Sequence, residues 1–210
     1  MQAGYDDIPL TVGKMAPGAI TQDSRISKTI RAVLVKDEFD RAAHIEEGWV
    51  RLEGKVAIVT GSSSGVGKGI AIGFAREGAT VVVNCSHNQA GAREVAAGIE
   101  RLGCRSLVVQ GDVGRKKDAQ ALINQTQAAF GRLDILVNCA GISLRAPFEE
   151  FPEEYWDIIH RTNLKGTFLC SQAAVSLLKQ SRGAILNIAS INGAITTYNF
   201  AAYAASKAGI

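Results

Sequence analysis

The 210-residue chain is 47% hydrophobic, carries a formal net charge of +3 and has 6% aromatic residues, a composition typical of a globular protein with one good core. Its positive charges are spread along the sequence, with a single run of three at residues 115–117, so the charge does not predict nucleic-acid binding. No apolar segment approaches the roughly 20 residues of a membrane helix. No signal core follows Met1, so we expect a cytoplasmic protein with no membrane partner.

The cysteines and histidines do not predict a metal site. They have no paired ligand spacing, and each cysteine lies in or beside an apolar segment, where a thiol behaves as a small hydrophobic group. We therefore interpret the cysteines as reduced packing residues. The cysteines are Cys85, Cys104, Cys139 and Cys170, and the histidines are His44, His87 and His160.

The first fifty residues differ from the rest of the chain. Glycines and prolines interrupt a polar start, and only residues 26–47 could form an amphipathic helix. We predict an extension at 1–51, partly irregular, and a domain at 52–210. The extension is either a segment that docks on the domain or sequence upstream of the true start.

From Lys55 onward, short apolar runs alternate with segments of helical spacing. The runs lack strict alternation, which indicates strands buried on both faces. The pattern predicts an α/β fold: a Rossmann-like, doubly wound parallel sheet with helices on both faces. The predicted strands are 56–60, 80–84, 106–110, 135–138 and 184–188; the predicted helices are 65–77, 89–102, 117–130 and 153–180, the last broken or bent near 161–163.

A glycine-rich loop follows the first predicted strand and opens the first helix. Glycine permits a tight turn and close approach of phosphates to backbone N–H groups, which the positive end of the helix dipole reinforces. A flexible linker is the alternative, but the strand-loop-helix context favours a pyrophosphate site. The loop residues that we expect to contact a dinucleotide are Gly61, Ser63, Ser64, Gly65, Val66 and Gly67.

Tyr203 and Lys207 lie one helical turn apart, and Ser190 follows the last apolar run. A cation on the same helix face favours the ionised form of a phenol, so this trio could exchange a proton with a substrate oxygen. Alone, the spacing describes an ordinary surface tyrosine and lysine. The glycine-rich loop upstream makes the catalytic interpretation the stronger one.

The loop Thr60-Gly-Ser-Ser-Ser-Gly-Val-Gly67 resembles the Thr-Gly-x-x-x-Gly-x-Gly loop of the short-chain dehydrogenase/reductase family. The order of the later motifs agrees over Leu52 to Ile210: Asp112-Val113, Asn138 to Gly141, Asn163, Ser190, and Tyr203 to Lys207. Within the family, the chain resembles the members that reduce 3-oxoacyl groups and those that oxidise glucose. The resemblance implies NAD(P)-dependent reduction of a 3-oxoacyl-type or similar ketone to a secondary alcohol. The alternatives are a sugar or polyol dehydrogenase of the same family, and a non-catalytic dinucleotide-binding module.

The resemblance also implies roles for individual residues. Tyr203 would be the general acid, Ser190 would hold the carbonyl oxygen, and Lys207 would bind the nicotinamide ribose. The backbone carbonyl of Asn163 would hold a proton-relay water. Polar positions at a helix break and at a strand end are the alternatives for Asn163 and Ser190.

Two further segments are implied to contact the cofactor. Asp112 and the Val113 backbone would bind adenine, although Asp112 could instead cap the next helix. Asn138, Ala140 and Gly141 match the family's Asn-Asn-Ala-Gly, where Cys139 replaces the second asparagine and cannot copy its hydrogen bonds.

The end of the second strand predicts the phosphate state of the cofactor. Asn84 and the four residues after it include no carboxylate that would accept from a ribose 2′-hydroxyl, which favours NADP, with NAD possible. The usual phosphate-pairing arginine is also absent, since Arg93 is too far along the next helix. A protonated His87 is an alternative partner.

Family members continue beyond the position of Ile210, with the rest of the last helix and two further strands. We therefore expect a C-terminally truncated domain with its last strands missing, an exposed fifth strand and little activity alone. The resemblance implies a homotetramer for the full-length protein, through helices that include 153–180, acting on a small-molecule carbonyl or alcohol.

Overall fold

The computed structural model describes residues 50–210. The helix predicted at 26–47 and nearly all of the predicted extension therefore lie outside the described residues. The predicted domain lies within them, and its elements are described below.

Five strands form one parallel sheet in the order β3-β2-β1-β4-β5. Each strand ends within one residue of its predicted position. The apolar runs of the first, second and fourth strands are buried in the sheet, whereas the fifth strand, at its edge, is exposed. The order reverses beside β1, which is the switch point of a doubly wound fold. The strands are β1 (Val56–Val59), β2 (Thr80–Cys85), β3 (Ser106–Gln110), β4 (Ile135–Asn138) and β5 (Ala184–Asn187).

The helices cover both faces of the sheet, which confirms the predicted Rossmann-like fold. They are α1 (Gly65–Arg76), α2 (Gln89–Arg101), α3 (Lys116–Phe130), α4 (Glu153–Ile159), α5 (Gly166–Ser181) and α6 (Ala201–Gly209). Apolar residues of α1 and α2 pack with Val81 and Val83 on one face. Those of α3 and α5 pack with Ile58 and Leu136 on the other. Short 3-10 turns lie at Phe148–Glu150 and Ile191–Gly193.

The long helix predicted at 153–180 is interrupted where the sequence indicated. A π-helical turn at His160–Lys165 separates α4 from α5. Such turns are rare in proteins, and those that occur are often found at functional sites, because they release a backbone group from the α-helical hydrogen-bonding pattern. The interruption brings Asn163 to the centre of the site described below.

The start of α3 corrects one alternative from the sequence. Its N-cap residue is Arg115, not Asp112. Asp112 instead closes a tight turn, since its Oδ1 accepts a hydrogen bond of 2.9 Å from the N–H of Gly114. The carboxylate therefore remains at the carboxyl edge of β3 and does not cap a helix.

A buried carboxylate fastens the opposite, amino edge of the sheet. The side chain of Asp134 is 4% exposed. Its Oδ2 accepts hydrogen bonds from the Val56 N–H at 2.9 Å and from Arg132 Nε at 2.8 Å. Burial alone would raise the pKa of Asp134, but these donors and the charge of Arg132 outweigh it and hold the pKa below its ordinary value. The group thus favours the folded state while it is ionised.

We expect Asp134→Asn to lower the free energy of unfolding by about 1–3 kcal/mol at neutral pH, because a charged acceptor is lost at a buried position. Since the folded-state pKa is depressed, wild type keeps this advantage above about pH 4 and loses it as the pH falls further. Urea unfolding across this range measures the difference. Glu94→Gln, which removes one half of an exposed ion pair with Lys68, is the matched control and should have little effect. Equal losses in the two variants would contradict this account.

Candidate active site

The segments singled out in the sequence meet at one edge of the sheet. The glycine-rich loop follows β1, Asp112 follows β3, residues 138–141 end β4, and Ser190 follows β5. All five strands are parallel, so their carboxyl ends share this edge. In open α/β sheets this is the edge where ligands bind.

Thr60 joins the glycine-rich loop to the end of β4. Its Oγ1 accepts hydrogen bonds from the N–H groups of Cys139 at 2.9 Å and Ala140 at 3.0 Å. The loop and the 138–141 segment are therefore held together through the backbone. This anchoring does not require an amide side chain at position 139, where the sequence carries cysteine.

Two glycines shape the loop. Gly61 has φ +64°, and a Cβ there would lie 2.7 Å from Cα of Ala140, so only glycine permits this approach. Gly65 has φ +55°, and no atom lies within 4 Å of where its Cβ would be. The loop therefore combines one glycine needed for packing with another that borders open space.

The first turn of α1 presents unsatisfied donors to that space. The first N–H groups of a helix have no intrahelical acceptor, and no side chain caps this helix at Ser64. Ser64, Gly65 and Val66 are exposed, Ser63 is half-buried, and Gly67 is buried against the loop. Free N–H groups at the positive end of a helix dipole suit a phosphate group.

Two asparagines that are predicted to contact the cofactor are buried and hold neighbouring segments together. Asn84 accepts from the Gly61 N–H at 3.2 Å and donates to the carbonyls of Val109 and Gly111. Asn138 donates to Ser171 Oγ at 3.0 Å and to Asn187 Oδ1 at 2.9 Å. Both side chains are buried, and these hydrogen bonds fix the loop and the strand ends. Among the described residues the Oδ1 of Asn138 has no hydrogen-bond donor.

Asp112 lies at the carboxyl edge with two arginines. Its Oδ2 is 3.5 Å from Arg115 Nε and 3.4 Å from a terminal nitrogen of Arg161. Val113 is buried in the core, so only its backbone can face a ligand. Arg161 belongs to the π-helical turn, and no local spacing in the sequence indicates its contact with Asp112.

The ammonium group of Lys207 is buried beside the Tyr203 ring. Lys207 is 6% exposed, and its Nζ donates a 2.6 Å hydrogen bond to the carbonyl of Ile188, just beyond β5. The same nitrogen lies 5.8 Å from the centroid of the Tyr203 ring. Burial lowers the pKa of Lys207, and the neighbouring Cys139 thiol opposes that effect in part. A phenol and a cation are thus held together at the carboxyl edge, as the sequence predicted.

The side chain of Cys139 is half-buried in the same region. Burial raises the pKa of its thiol, and the charge of Lys207 partly counteracts this. The raised pKa is consistent with a neutral packing thiol, since a reactive cysteine needs thiolate character.

Asn163 ties the π-helical turn to its surroundings. Its fully buried side chain accepts from the Ile142 N–H at 2.8 Å and donates to the Ile142 carbonyl at 3.0 Å. It also donates to Ser206 Oγ at 3.0 Å. The backbone carbonyl of Asn163 accepts from the Thr167 hydroxyl at 2.7 Å, which occupies one of its two lone pairs.

Ser206 is a site residue that the sequence interpretation missed. Its hydroxyl donates to the Tyr203 carbonyl at 2.7 Å while accepting from Asn163. It therefore connects α6, which carries the phenol, to the π-helical turn. A polar residue beside Lys207 in an alanine-rich helix was the available signal.

Ser190 has the turn geometry that was its alternative interpretation. Its Oγ accepts from the Asn192 N–H at 3.2 Å and caps the short turn Ile191–Gly193. Within residues 50–210 its hydroxyl proton has no acceptor. The two roles are compatible, because a hydroxyl can accept one hydrogen bond and donate another.

The described part of the chain offers neither a metal-binding cluster nor a membrane-spanning helix. From Val50 to Ile210, no three His, Cys, Asp or Glu side chains are grouped so that they could hold a metal ion. No helix in that same span has the length and apolar character needed to cross a membrane.

We expect Ser206→Ala to lower the free energy of unfolding by about 1–3 kcal/mol, because the buried amide of Asn163 loses an acceptor. Denaturant unfolding measures this loss. Ser143→Ala, at an exposed loop position, is the control and should leave stability unchanged. If both variants are as stable as wild type, the link between α6 and the π-helical turn does not stabilise the fold as described.

Comparisons with known proteins agree with this geometry. The family model described as short chain dehydrogenase matches residues 55–210. The 3-oxoacyl-[acyl-carrier-protein] reductase FabG of Staphylococcus aureus is 40% identical over 157 residues, covering 74% of this chain and 64% of that protein. An uncharacterized oxidoreductase of Methylorubrum extorquens is also 40% identical over 157 residues, covering 75% of this chain and 63% of its own length.

A solved structure gives the same result. A crystal structure from Sinorhizobium meliloti, assigned to the short-chain alcohol dehydrogenases, superposes with a TM-score of 0.73 at 36% sequence identity. The match covers 77% of this chain and 64% of that one. The chain thus spans just under two thirds of the length of these relatives. On the family match, the identities and the shared fold, the chain belongs to the short chain dehydrogenase family.

Proposed function

We propose that the protein carrying this chain is an NAD(P)-dependent oxidoreductase that reduces a ketone to a secondary alcohol, with 3-oxoacyl-type or similar ketones as substrates. The observation that carries the proposal is the buried Lys207 ammonium held 5.8 Å from the Tyr203 ring. A buried cation costs free energy unless it is hydrogen-bonded. Its place beside a phenol supports proton transfer as the task of this pair.

The residues present suit a dinucleotide. The uncapped first turn of α1 and the open space at Gly65 would take its diphosphate. Asp112 and the Val113 backbone would hold adenine, and Lys207 would bind the nicotinamide ribose. When bound, the cofactor supplies a hydride.

The side chains of this chain would handle the proton. Tyr203 donates its hydroxyl proton to the carbonyl oxygen as hydride reaches the carbon, so no free alkoxide forms. Ser190 donates a hydrogen bond to the same oxygen. Lys207 would stay beside the phenol through its hydrogen bond to the Ile188 carbonyl, and the Asn163 carbonyl would hold the water that returns a proton to Tyr203.

The mechanism predicts that Tyr203→Phe loses at least about 100-fold in kcat with a ketone, because it removes the general acid. NADPH binding, measured by fluorescence, should stay near the wild-type value. Tyr155→Phe is the matched control, since Tyr155 lies on another helix, α4, where its ring packs edge-on against Phe151. Full turnover by Tyr203→Phe would refute the catalytic proposal and leave a dinucleotide-binding module as the better one.

We propose NADP as the preferred cofactor. The three residues after β2, Ser86, His87 and Asn88, are exposed and include no carboxylate, so nothing there would repel a 2′-phosphate. Arg93 lies further along, on α2, where its guanidinium is 3.5 Å from Gln89 Oε1, so the proposed preference does not rest on this arginine.

Introducing a carboxylate should reverse this preference. We expect Ser86→Asp to weaken NADPH binding and to favour NADH, because aspartate accepts from a 2′-hydroxyl and repels a 2′-phosphate. Dissociation constants of both cofactors for wild type, Ser86→Asp and Ser86→Asn test this; Ser86→Asn controls for side-chain size. If wild type binds NADH more tightly than NADPH, the proposed preference is wrong.

We also propose that the protein self-associates, as a homotetramer. Phe168 and Val175 lie two turns apart on α5, and both are exposed. Paired apolar side chains on one outer helix face support a protein interface.

A further inference from the structure

Arg145, in the segment after β4, has no role in the site described so far. Its guanidinium carbon lies 4.1 Å from the centroid of the Phe200 ring. The side chain is exposed, and within residues 50–210 it makes neither a hydrogen bond nor an ion pair. Its five N–H donors are therefore available while the aromatic ring fixes its position.

Phe200 connects this cation to the catalytic phenol. It is the N-cap residue of α6, and its ring centroid lies 5.8 Å from that of Tyr203. The two ring contacts place the guanidinium at most about 10 Å from the phenol ring, about one Debye length at 0.1 M salt. An anion at Arg145 is therefore close enough to Tyr203 to be part of a substrate whose carbonyl meets that residue.

The chemistry of the group favours a carboxylate. A guanidinium presents a planar fork that matches two carboxylate oxygens, and stacking on an aromatic ring orients the fork before the ligand arrives. Glu149 and Glu150 lie four and five residues further along, in the short turn Phe148–Glu150. Neither pairs with Arg145 in the described structure, so they do not neutralise it.

We propose that Arg145 is a specificity-determining residue that binds the carboxylate of an oxo-acid substrate. This inference rests on the proposed function and narrows its substrate class to ketones that carry an anionic group near the reacting carbonyl. Tyr203, Ser190 and Lys207 act on the carbonyl end of the substrate, and Arg145 holds the acidic end.

The test uses the full-length protein that carries this chain and compares each oxo-acid with an uncharged ester of the same acid. The probes are 2-oxo, 3-oxo, 4-oxo and 5-oxo straight-chain acids, each beside its methyl ester, with NADPH as reductant. For at least one chain length, wild type should prefer the acid, and Arg145→Gln should lower the acid-to-ester ratio of kcat/KM by about ten- to a hundredfold, as expected for a lost charged hydrogen bond. Arg145→Lys, which keeps the charge, should recover part of that ratio.

A second arginine provides the matched control. Arg105 also stacks on a ring, 4.8 Å from the centroid of Phe130, but it precedes β3 and so lies at the amino edge of the sheet. Arg105→Gln should leave the acid-to-ester ratio unchanged. A similar fall in that variant would contradict the assignment to Arg145.

The remaining outcomes separate this inference from the function on which it rests. If Arg145→Gln slows acids and esters equally, Arg145 only supports Phe200 and the inference is wrong, while the reductase proposal stands. If wild type reduces esters as well as acids and the variant changes nothing, the inference likewise fails alone. If wild type binds NADPH but reduces none of the ketones, both proposals are contradicted.

Discussion

A buried ammonium group imposes the strongest constraint on this site. Taking an ion out of water costs several kcal/mol unless its hydrogen-bonding groups are satisfied. Lys207 meets this cost in part through the 2.6 Å bond to the Ile188 carbonyl, which requires α6 to pack against the end of β5. The position of α6 is therefore fixed by the same contact that brings the cation to Tyr203.

Further hydrogen bonds join α6 to the other segments at the carboxyl edge of the sheet. Asn163 joins the π-helical turn to the Ile142 backbone and, through Ser206, to α6. Thr60 joins the glycine-rich loop to the end of β4. Since each link crosses between segments far apart in sequence, the glycine-rich loop and the helix that carries Tyr203 are parts of one hydrogen-bonded frame. Such polar networks are strong only when their members are satisfied.

The sequence predicted the features that depend on local pattern. Apolar runs located the five strands to within a residue, and the glycine spacing identified the loop. The break near 161–163 appeared as a π-helical turn. What the sequence could not predict depends on tertiary packing. The hydrogen bonds by which Asn84 and Asn138 join neighbouring strand ends cannot be read from local spacing. The partners of Ser206, Arg161 and Arg145 come from distant segments, and no local spacing indicates such contacts.

We propose that a dinucleotide places its nicotinamide ribose at the Lys207 ammonium, with its diphosphate on the first turn of α1. The most direct measurement is a crystal structure of the protein with bound NADPH. We expect Lys207 Nζ within hydrogen-bonding distance of a ribose hydroxyl and the Tyr203 hydroxyl facing the nicotinamide ring. A diphosphate bound away from residues 61–67, or a Lys207 ammonium turned to bulk water, would contradict it.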